Sequence, residues 1–196
     1  MRPMVMEFPD DPAGYAFDLQ YCLGRELLVS PVVRADGMVT TYLPRGKWTD
    51  WWTGTVHEGP TTIRRQVQLE ELPLYVRDES LVVLGPERSH VGERAADPLT
   101  IEAFVTNEAA FTLRGDAGTV TLRCRRRGNE VTFEASAALV TFVLRLRPGF
   151  SATSVSADGG PISRVDLARL ERSEAGWTVD DHVVVVKARA RRIELR

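Results

Sequence analysis

From Leu27 onward, apolar and polar residues alternate with a period of two, the signature of strands that bury one face. A first series of strands is predicted over Leu27–Val33, Met38–Leu43, Trp48–Trp52, Thr61–Gln68, Leu72–Arg77 and Ser80–Leu84, with Asp36-Gly37 as a two-residue hairpin signal and Asp78-Glu79 turning the chain. The densest stretch is Leu43-Pro44-Arg45-Gly46-Lys47-Trp48-Thr49-Asp50-Trp51-Trp52-Thr53-Gly54, which holds three of the four tryptophans. Pro44 presets its φ and Gly46 accepts a positive one, so a tight turn is predicted at Pro44–Gly46 between two strands. Trp48 and Trp52 have even spacing and fall on one strand face, where two indoles read as core. Trp51 falls on the opposite face.

Residues 85–98 hold Gly85, Pro86, Ser89, Gly92 and Pro98 with little apolar content, and read as a linker. A second series of strands follows over Leu99–Val105, Ala110–Arg114, Thr119–Arg126, Glu130–Ala135, Leu139–Leu146, Ser151–Ser156, Trp177–Val179, His182–Lys187 and Arg191–Leu195. Asp116–Gly118 and Arg127-Gly128-Asn129 are turn signals within it. Asp166–Glu174 interrupts the pattern and fits either a helical turn or a solvated connector. Strands every 8–12 residues describe antiparallel β-sandwiches.

The first 24 residues differ. Met4-Val5-Met6-Glu7-Phe8 is apolar, bounded by Pro3 and Pro9, and predicts one buried strand stopped by Pro9-Asp10-Asp11-Pro12. Tyr15–Gly24 predicts a short helix with Gly24 as its left-handed cap. Met4, Val5, Met6, Phe8, Tyr15 and Phe17 need something to pack against, since each side chain left in water forfeits ~1.5–3 kcal/mol.

Composition mainly excludes. A net charge of −2 gives no pull toward nucleic acid or a membrane surface. The basic runs Arg123–Arg127 and Lys187–Arg192 contain no aromatic residue, and alternation puts Arg123 and Arg125 on a solvated face with Cys124 inward. Cys22 and Cys124 read as free thiols in a reducing, cytoplasmic compartment. No apolar run approaches the ~20 residues of a membrane helix, and an acidic loop occupies the place of a signal-peptide core. His57, His90 and His182 lack metal-ligand spacing, and no nucleophile elbow or phosphate loop is present, so no metal and no cofactor are expected. Asp10 and Asp11 are adjacent carboxylates that fit turn chemistry more simply than acid–base catalysis.

Several motifs resemble one family. Arg2-Pro3-Met4, Glu7-Phe8-Pro9-Asp10-Asp11-Pro12 and Gln20-Tyr21-x-Leu23-Gly24 resemble the end of the catalytic barrel of glycoside hydrolase family 31. Leu27-Leu28-Val29-Ser30-Pro31-Val32 is similar to the family's exit from that barrel. Tyr42-Leu43-Pro44-x-Gly46-x-Trp48-Thr49-Asp50-x-Trp52-Thr53-Gly54 and Leu72-Pro73-Leu74-Tyr75-Val76-Arg77 resemble its first C-terminal β-domain, closest to the bacterial α-xylosidase branch.

The resemblance implies an all-β chain of two tandem antiparallel β-sandwich domains. Residues 25–86 and 87–196 would form them. Residues 1–24 would be a remnant of a (β/α)8 barrel, its last strand and a short helix. It implies the non-catalytic C-terminal part of a retaining α-glycosidase for α-xylosides or α-glucosides. No catalytic residue would lie in the chain, because both catalytic aspartates would lie upstream of Met1, where the family has an internal methionine. A truncated gene, a split gene or a miscalled start would each give that result. The implied partner is the missing barrel, through which alone an oligosaccharide would be met, with homo-oligomer contacts also allowed. Phe8 and Asp10 are implied as substrate-binding, since barrel sites gather at the C-terminal ends of strands. Two rivals stand beside this: a carbohydrate-binding module with Trp51 or Trp177 as stacking platform, and a protein-interaction sandwich.

Overall fold

Two units, Met1–Asp78 and Glu79–Arg196, divide the chain. The computed structural model describes every residue except Val91, Arg94, Asp116, Ala117, Leu139 and Pro148. Parts of the 85–98 linker and of the Asp116–Gly118 turn, and the first residue of the Leu139–Leu146 strand, thus lie outside the described residues.

The first unit holds β1 (Arg2–Pro3), α1 (Met4–Glu7), a 3-10 turn (Pro12–Ala16), β2 (Tyr21–Leu23), β3 (Leu27–Val29), β4 (Met38–Asp50), β5 (Val56–Gln66) and β6 (Leu74–Arg77). Its strands form one antiparallel sheet in the order β1-β2-β3-β6-β4-β5. The chain order is not the pairing order. β3 lies between β2 and β6, so Asp36-Gly37 does not close a β3–β4 hairpin. That turn is held instead by the Asp36 carboxylate, which accepts from the Met38 amide at 3.0 Å, and by the Gly37 carbonyl, which accepts from the Val67 amide at 3.0 Å.

Three local expectations change. The Pro44–Gly46 stretch is a β-bulge inside one 13-residue strand: Leu43 pairs with Thr61 and Gly46 with Gly59, so Pro44 and Arg45 together face Pro60. Gly46 has a φ of 126°, and a β-carbon on Gly59 would collide with the Pro44 carbonyl. The Trp48 indole N–H donates to that same carbonyl at 2.8 Å, which ties the bulge to the core.

Trp52 is the second correction. The strand ends at Asp50, whose carboxylate accepts from the Trp52 and Thr53 amides at 2.9 and 3.0 Å, so the period-two rule no longer applies. Trp48 is buried, whereas Trp52 is 49% exposed, with its indole N–H donating to the Leu72 carbonyl at 2.7 Å.

Third, Met4–Glu7 is a single helical turn rather than a strand, closed by the Phe8 amide donating to the Met4 carbonyl at 2.8 Å. Met and Glu are strong helix formers, and Pro9 stops them. A turn buries fewer side chains than a strand would: Met4 is buried and Val5 and Met6 are exposed. Tyr15–Gly24 likewise contains a 3-10 turn and then β2, with Gly24 (φ 69°) between β2 and β3 rather than capping a helix. Of the six side chains thought to need an outside partner, Met4, Phe8 and Phe17 pack within the unit, around Cys22, Leu28, Tyr42, Leu43, Trp48 and Tyr75. Val5, Met6 and Tyr15 remain exposed, as do Leu19 and Leu23.

The second unit contains β7 (Ser80–Leu84), β8 (Leu99–Phe104), β9 (Glu108–Gly115), β10 (Gly118–Arg127), β11 (Glu130–Ala135), β12 (Phe142–Arg147), β13 (Val155–Ala157), β14 (Gly160–Pro161), α2 (Leu167–Arg172), β15 (Gly176–Asp180), β16 (Val183–Ala188) and β17 (Arg192–Leu195). They form two sheets, β14-β13-β17-β11-β10-β9 and β15-β16-β12-β8-β7. Every neighbouring pair is antiparallel except β8 and β12, which run parallel. β7 pairs with β8 rather than returning on β6. The Glu79 carboxylate organises this corner by accepting from the Asn107 and Glu108 amides at 2.9 and 2.8 Å.

One buried cluster draws on both sheets: Leu122, Cys124, Phe133 and Ile193 from one, Ile101, Leu144, Val184 and Val186 from the other. Phe133 meets Phe142 edge-to-face at 5.5 Å across them. Arg123 and Arg125 point outward and pair with Glu108 while Cys124 points in, as alternation predicts. The Asp166–Glu174 interruption contains a short helix: the Asp166 carboxylate caps the Arg169 amide at 2.8 Å, and the Lys187 ammonium donates to the Glu171 carbonyl at 2.7 Å. Among the described residues, no helix is long and apolar enough to cross a membrane.

Candidate functional site

A cleft of about 540 Å³ opens in the first unit where the proline-framed loop after α1 faces the bulge of β4. Phe8, Asp10, Asp11, Tyr42, Arg45 and Pro60 line it. Both sequence-derived candidates, Phe8 and Asp10, are therefore in one place. They differ in character. The Phe8 ring sits edge-on to Trp48 at 6.2 Å, with the Arg77 guanidinium 5.6 Å from its centroid, so it is anchored to the core and forms wall rather than platform. Asp10 is exposed and makes no hydrogen bond or ion pair among the described residues.

The loop that carries Asp10 is held from several sides. The Tyr15 hydroxyl donates to the Pro9 carbonyl at 2.6 Å. The Tyr42 hydroxyl lies 2.9 and 2.8 Å from the two Asp11 carboxylate oxygens and donates to that carboxylate. The Asp11 amide donates to the Phe8 carbonyl at 3.2 Å, and the Gly14 amide to the Asp11 carbonyl at 3.1 Å. Tyr42 is itself fixed by the buried Gln20 amide, which donates to the Tyr42 carbonyl at 2.9 Å and accepts from its N–H at 2.7 Å. Its ring stacks on Phe17 at 5.3 Å. Burial, and then the hydrogen bond and charge of Asp11, push the Tyr42 phenol up to about 12. Asp11 is thus occupied as an acceptor, which is turn-and-anchor chemistry.

Tyr42 and Arg45 escaped the sequence reading. Tyr42 sits in an ordinary strand pattern, and its partner Asp11 is 31 residues away. Arg45 gains its position only because the bulge adds a residue to β4. The Pro44-x-Gly46 spacing was the available signal, and it also fits a turn.

Other candidates separate from this cleft. Trp177 is 4% exposed with the Arg164 guanidinium 5.1 Å from its ring, which removes it as a sugar platform. Trp51 is half-buried. Among the described residues, no group of three or more His, Cys, Asp or Glu side chains could hold a metal ion. Burial raises the Cys22 thiol to about 11 and the Cys124 thiol to about 12.

Residues 1–82 match the family model described as the Glycosyl hydrolase family 31 C-terminal domain. The chain is 34% identical over 120 residues to an α-xylosidase of Saccharolobus solfataricus, covering 60% of this chain and 16% of that protein. It is 30% identical over 121 residues to α-glucosidase 2 of Bacillus thermoamyloliquefaciens, covering 60% of this chain and 15% of that protein. The chain therefore spans about a sixth of the length of these curated relatives. The whole chain superposes on part of the GH31 dextranase of Flavobacterium johnsoniae with a TM-score of 0.89 at 22% identity, covering 29% of that chain, which establishes a shared fold.

Proposed function

We propose, on the premise that residues 1–82 carry the Glycosyl hydrolase family 31 C-terminal domain, that this chain is the non-catalytic, β-rich C-terminal part of a retaining α-glycosidase acting on α-xylosides or α-glucosides. The family match carries this reading, and the small share of each relative that the chain spans agrees with it. The second unit, two sheets around one buried cluster, acts as a distal packing sandwich. Residues 1–24 act as the end of the barrel, and the rest of the barrel is the partner.

The surface of that first segment supports this assignment. Val5, Met6, Tyr15, Leu19 and Leu23 are all exposed, a concentration of apolar side chains suited to a covering polypeptide. Retaining glycosidases place two carboxyl groups ~5–5.5 Å apart, one as nucleophile and one as acid/base. In the cleft described above, Asp11 is tied to Tyr42, which leaves Asp10 a binding role next to the sugar rather than a catalytic one. The cytoplasm is the proposed compartment, in keeping with two buried free thiols.

The purified chain should release no 4-nitrophenol from 4-nitrophenyl α-D-xyloside or α-D-glucoside. Steady turnover of either, lost with Asp10→Asn, would show that the chain carries its own catalytic carboxylate and would end this reading.

A further inference from the structure

The six-stranded sheet of the second unit ends on β9, whose outer side pairs with no strand. The Arg126 amide donates to the Asn107 carbonyl at 2.7 Å, which fixes the parity of the β9–β10 ladder. Odd-numbered residues of β9 bond to β10, so the amides and carbonyls of Glu108, Ala110, Thr112 and Arg114 face the free edge. The Glu108 amide agrees with this parity, since it donates to the Glu79 carboxylate at 2.8 Å rather than to β10. Ala110, Thr112 and Arg114 are exposed, and their amides have no hydrogen-bond partner among the described residues.

Open edges invite pairing, and proteins blunt them with proline, lysine, bulges, brevity or a covering segment. The other sheet edges carry such devices. β1 and β14 have two residues each and β7 has five. β5 carries Pro60 opposite the bulge of β4, and β15 is bridged by Arg164 on the side away from β16. β9 has eight residues, and residues 109–113 contain no proline, no charge and no bulge. Its inward side chains Phe111 and Leu113 are only partly buried against the core, so the same edge leaves an apolar flank open.

We infer that β9 pairs antiparallel with β9 of a second copy of this chain, about a two-fold axis through Phe111, to make one continuous sheet. Charge selects both the partner and the direction. Glu108 stands at one end of the strand and Arg114 at the other, on the same face. Centred on Phe111, the antiparallel register sets Arg114 opposite the second copy's Glu108, Thr112 opposite its Ala110 and Leu113 opposite its Ala109. A parallel pairing would set like charges opposite one another, which destabilises a ladder. Arg114 makes no ion pair or hydrogen bond among the described residues, so it is available. The two Glu108 carboxylate oxygens each meet one arginine, Arg123 and Arg125, at 3.2 Å; a carboxylate has about four acceptor sites, so a third arginine can join. Glu79, held against the Glu108 amide, adds negative charge at that end. Ala110 and Thr112 exchange both N–H···O bonds with their opposites, and the two Phe111 rings meet at the axis. The far edge of the sheet is β14, two residues long, so pairing closes at two copies instead of running on as a fibre. The surface belongs to the second unit and uses no residue of the segment assigned to the barrel.

Sedimentation velocity of the full chain from ~1 to ~200 μM, the range of a small interface, should show monomer passing to dimer. Thr112→Pro removes an outward amide without touching the bonds to β10, and Arg114→Glu sets two acids opposite each other; each should weaken dimerisation about tenfold. An unchanged circular dichroism spectrum shows that the variants fold, and Arg114→Glu, at an exposed position, decides alone if Thr112→Pro does not. Phe111→Cys should give a disulfide-linked dimer on oxidation, because residues opposed across the axis have Cα atoms ~4.5–5.5 Å apart. Leu113→Cys, two residues from the axis on each copy, should not. A chain that stays monomeric throughout, as it would if the edge took an extended segment of a different polypeptide, overturns the inference. So does a dimer whose affinity is unchanged in Arg114→Glu, or one that Leu113→Cys links faster than Phe111→Cys.

Discussion

Replacing Tyr42 with Phe removes one hydroxyl and leaves its ring on Phe17 and its backbone on Gln20. The change isolates the bond to the Asp11 carboxylate, at 2.8–2.9 Å. Hydrogen bonds to charged groups contribute ~1.5–3 kcal/mol. Asp11 is only half-buried and regains water when the bond is lost, so the lower end applies, about 1.5 kcal/mol. Urea unfolding at pH 7, followed by tryptophan fluorescence in a Trp177→Phe background so that only Trp48, Trp51 and Trp52 report, reads this as a fall in midpoint of about 0.5–1.5 M with an unchanged slope.

A second reading comes from pH. The phenol of Tyr42 is raised from 10.0 to about 12 by burial and by Asp11, so the folded protein holds this proton more tightly than the unfolded chain. The contribution is fully present below about pH 10 and is lost as pH rises through about 12. Tyr42→Phe cannot titrate, so the gap between wild type and variant should shrink across that interval. An unmoved midpoint at pH 7, or a gap that is equal at pH 9 and pH 12, would refute the assignment of Tyr42 as the anchor of the Asp10 loop.

The remaining expectations concern burial and charge. Glu102 is 4% exposed and bridges Arg145 and Arg147 of β12 at 3.0 and 2.8 Å; Glu102→Ala should cost about 3 kcal/mol in urea unfolding, near the low end for a broken buried pair because both arginines are partly hydrated. Replacing all three residues with leucine should return stability to near or above wild type, and a triple variant weaker than Glu102→Ala would contradict the desolvation argument. Met4→Ala should destabilise by ~2–5 kcal/mol, whereas Met6→Gln should stay within ~0.5 kcal/mol of wild type; equal losses would mean that the turn buries a different face. Cys22 and Cys124, both raised by burial, to about 11 and about 12, should resist a disulfide reagent at pH 8 in the native state and react in urea. Fast native reaction of either thiol would contradict their burial.

The second unit was largely legible in sequence because its strands alternate cleanly, as Val131–Ala135 and Phe142–Leu146 do, and alternation is enforced by burying one face. Pairing was less legible. Nothing local to Ser80–Leu84 announces that it pairs with β8, or that β8 runs parallel to β12, because partner choice depends on contacts distant in the chain. The tryptophan stretch shows the same limit at finer scale. Even spacing assigns Trp48 and Trp52 to one face only while the strand lasts, and the Asp50 carboxylate ends it between them. Pro44 and Gly46 satisfy a turn and a bulge equally, and the bulge prevails because β5 continues to pair on both sides of it. In the first segment, Met4–Glu7 is too short for period to distinguish helix from strand. For the site, Phe8 and Asp10 came from motif resemblance, while Arg45 and Tyr42 required the fold to bring distant residues together.

The most direct measurement of the proposed role is a chimera. The 196-residue chain would replace the matched stretch of the Saccharolobus solfataricus α-xylosidase, and hydrolysis of 4-nitrophenyl α-D-xyloside would be followed. A C-terminal packing part should yield a folded enzyme that hydrolyses the xyloside, with the isolated chain silent and with Met6→Gln lowering the yield of folded chimera. A soluble, folded chimera without activity, or an isolated chain that hydrolyses the xyloside by itself, would contradict the account.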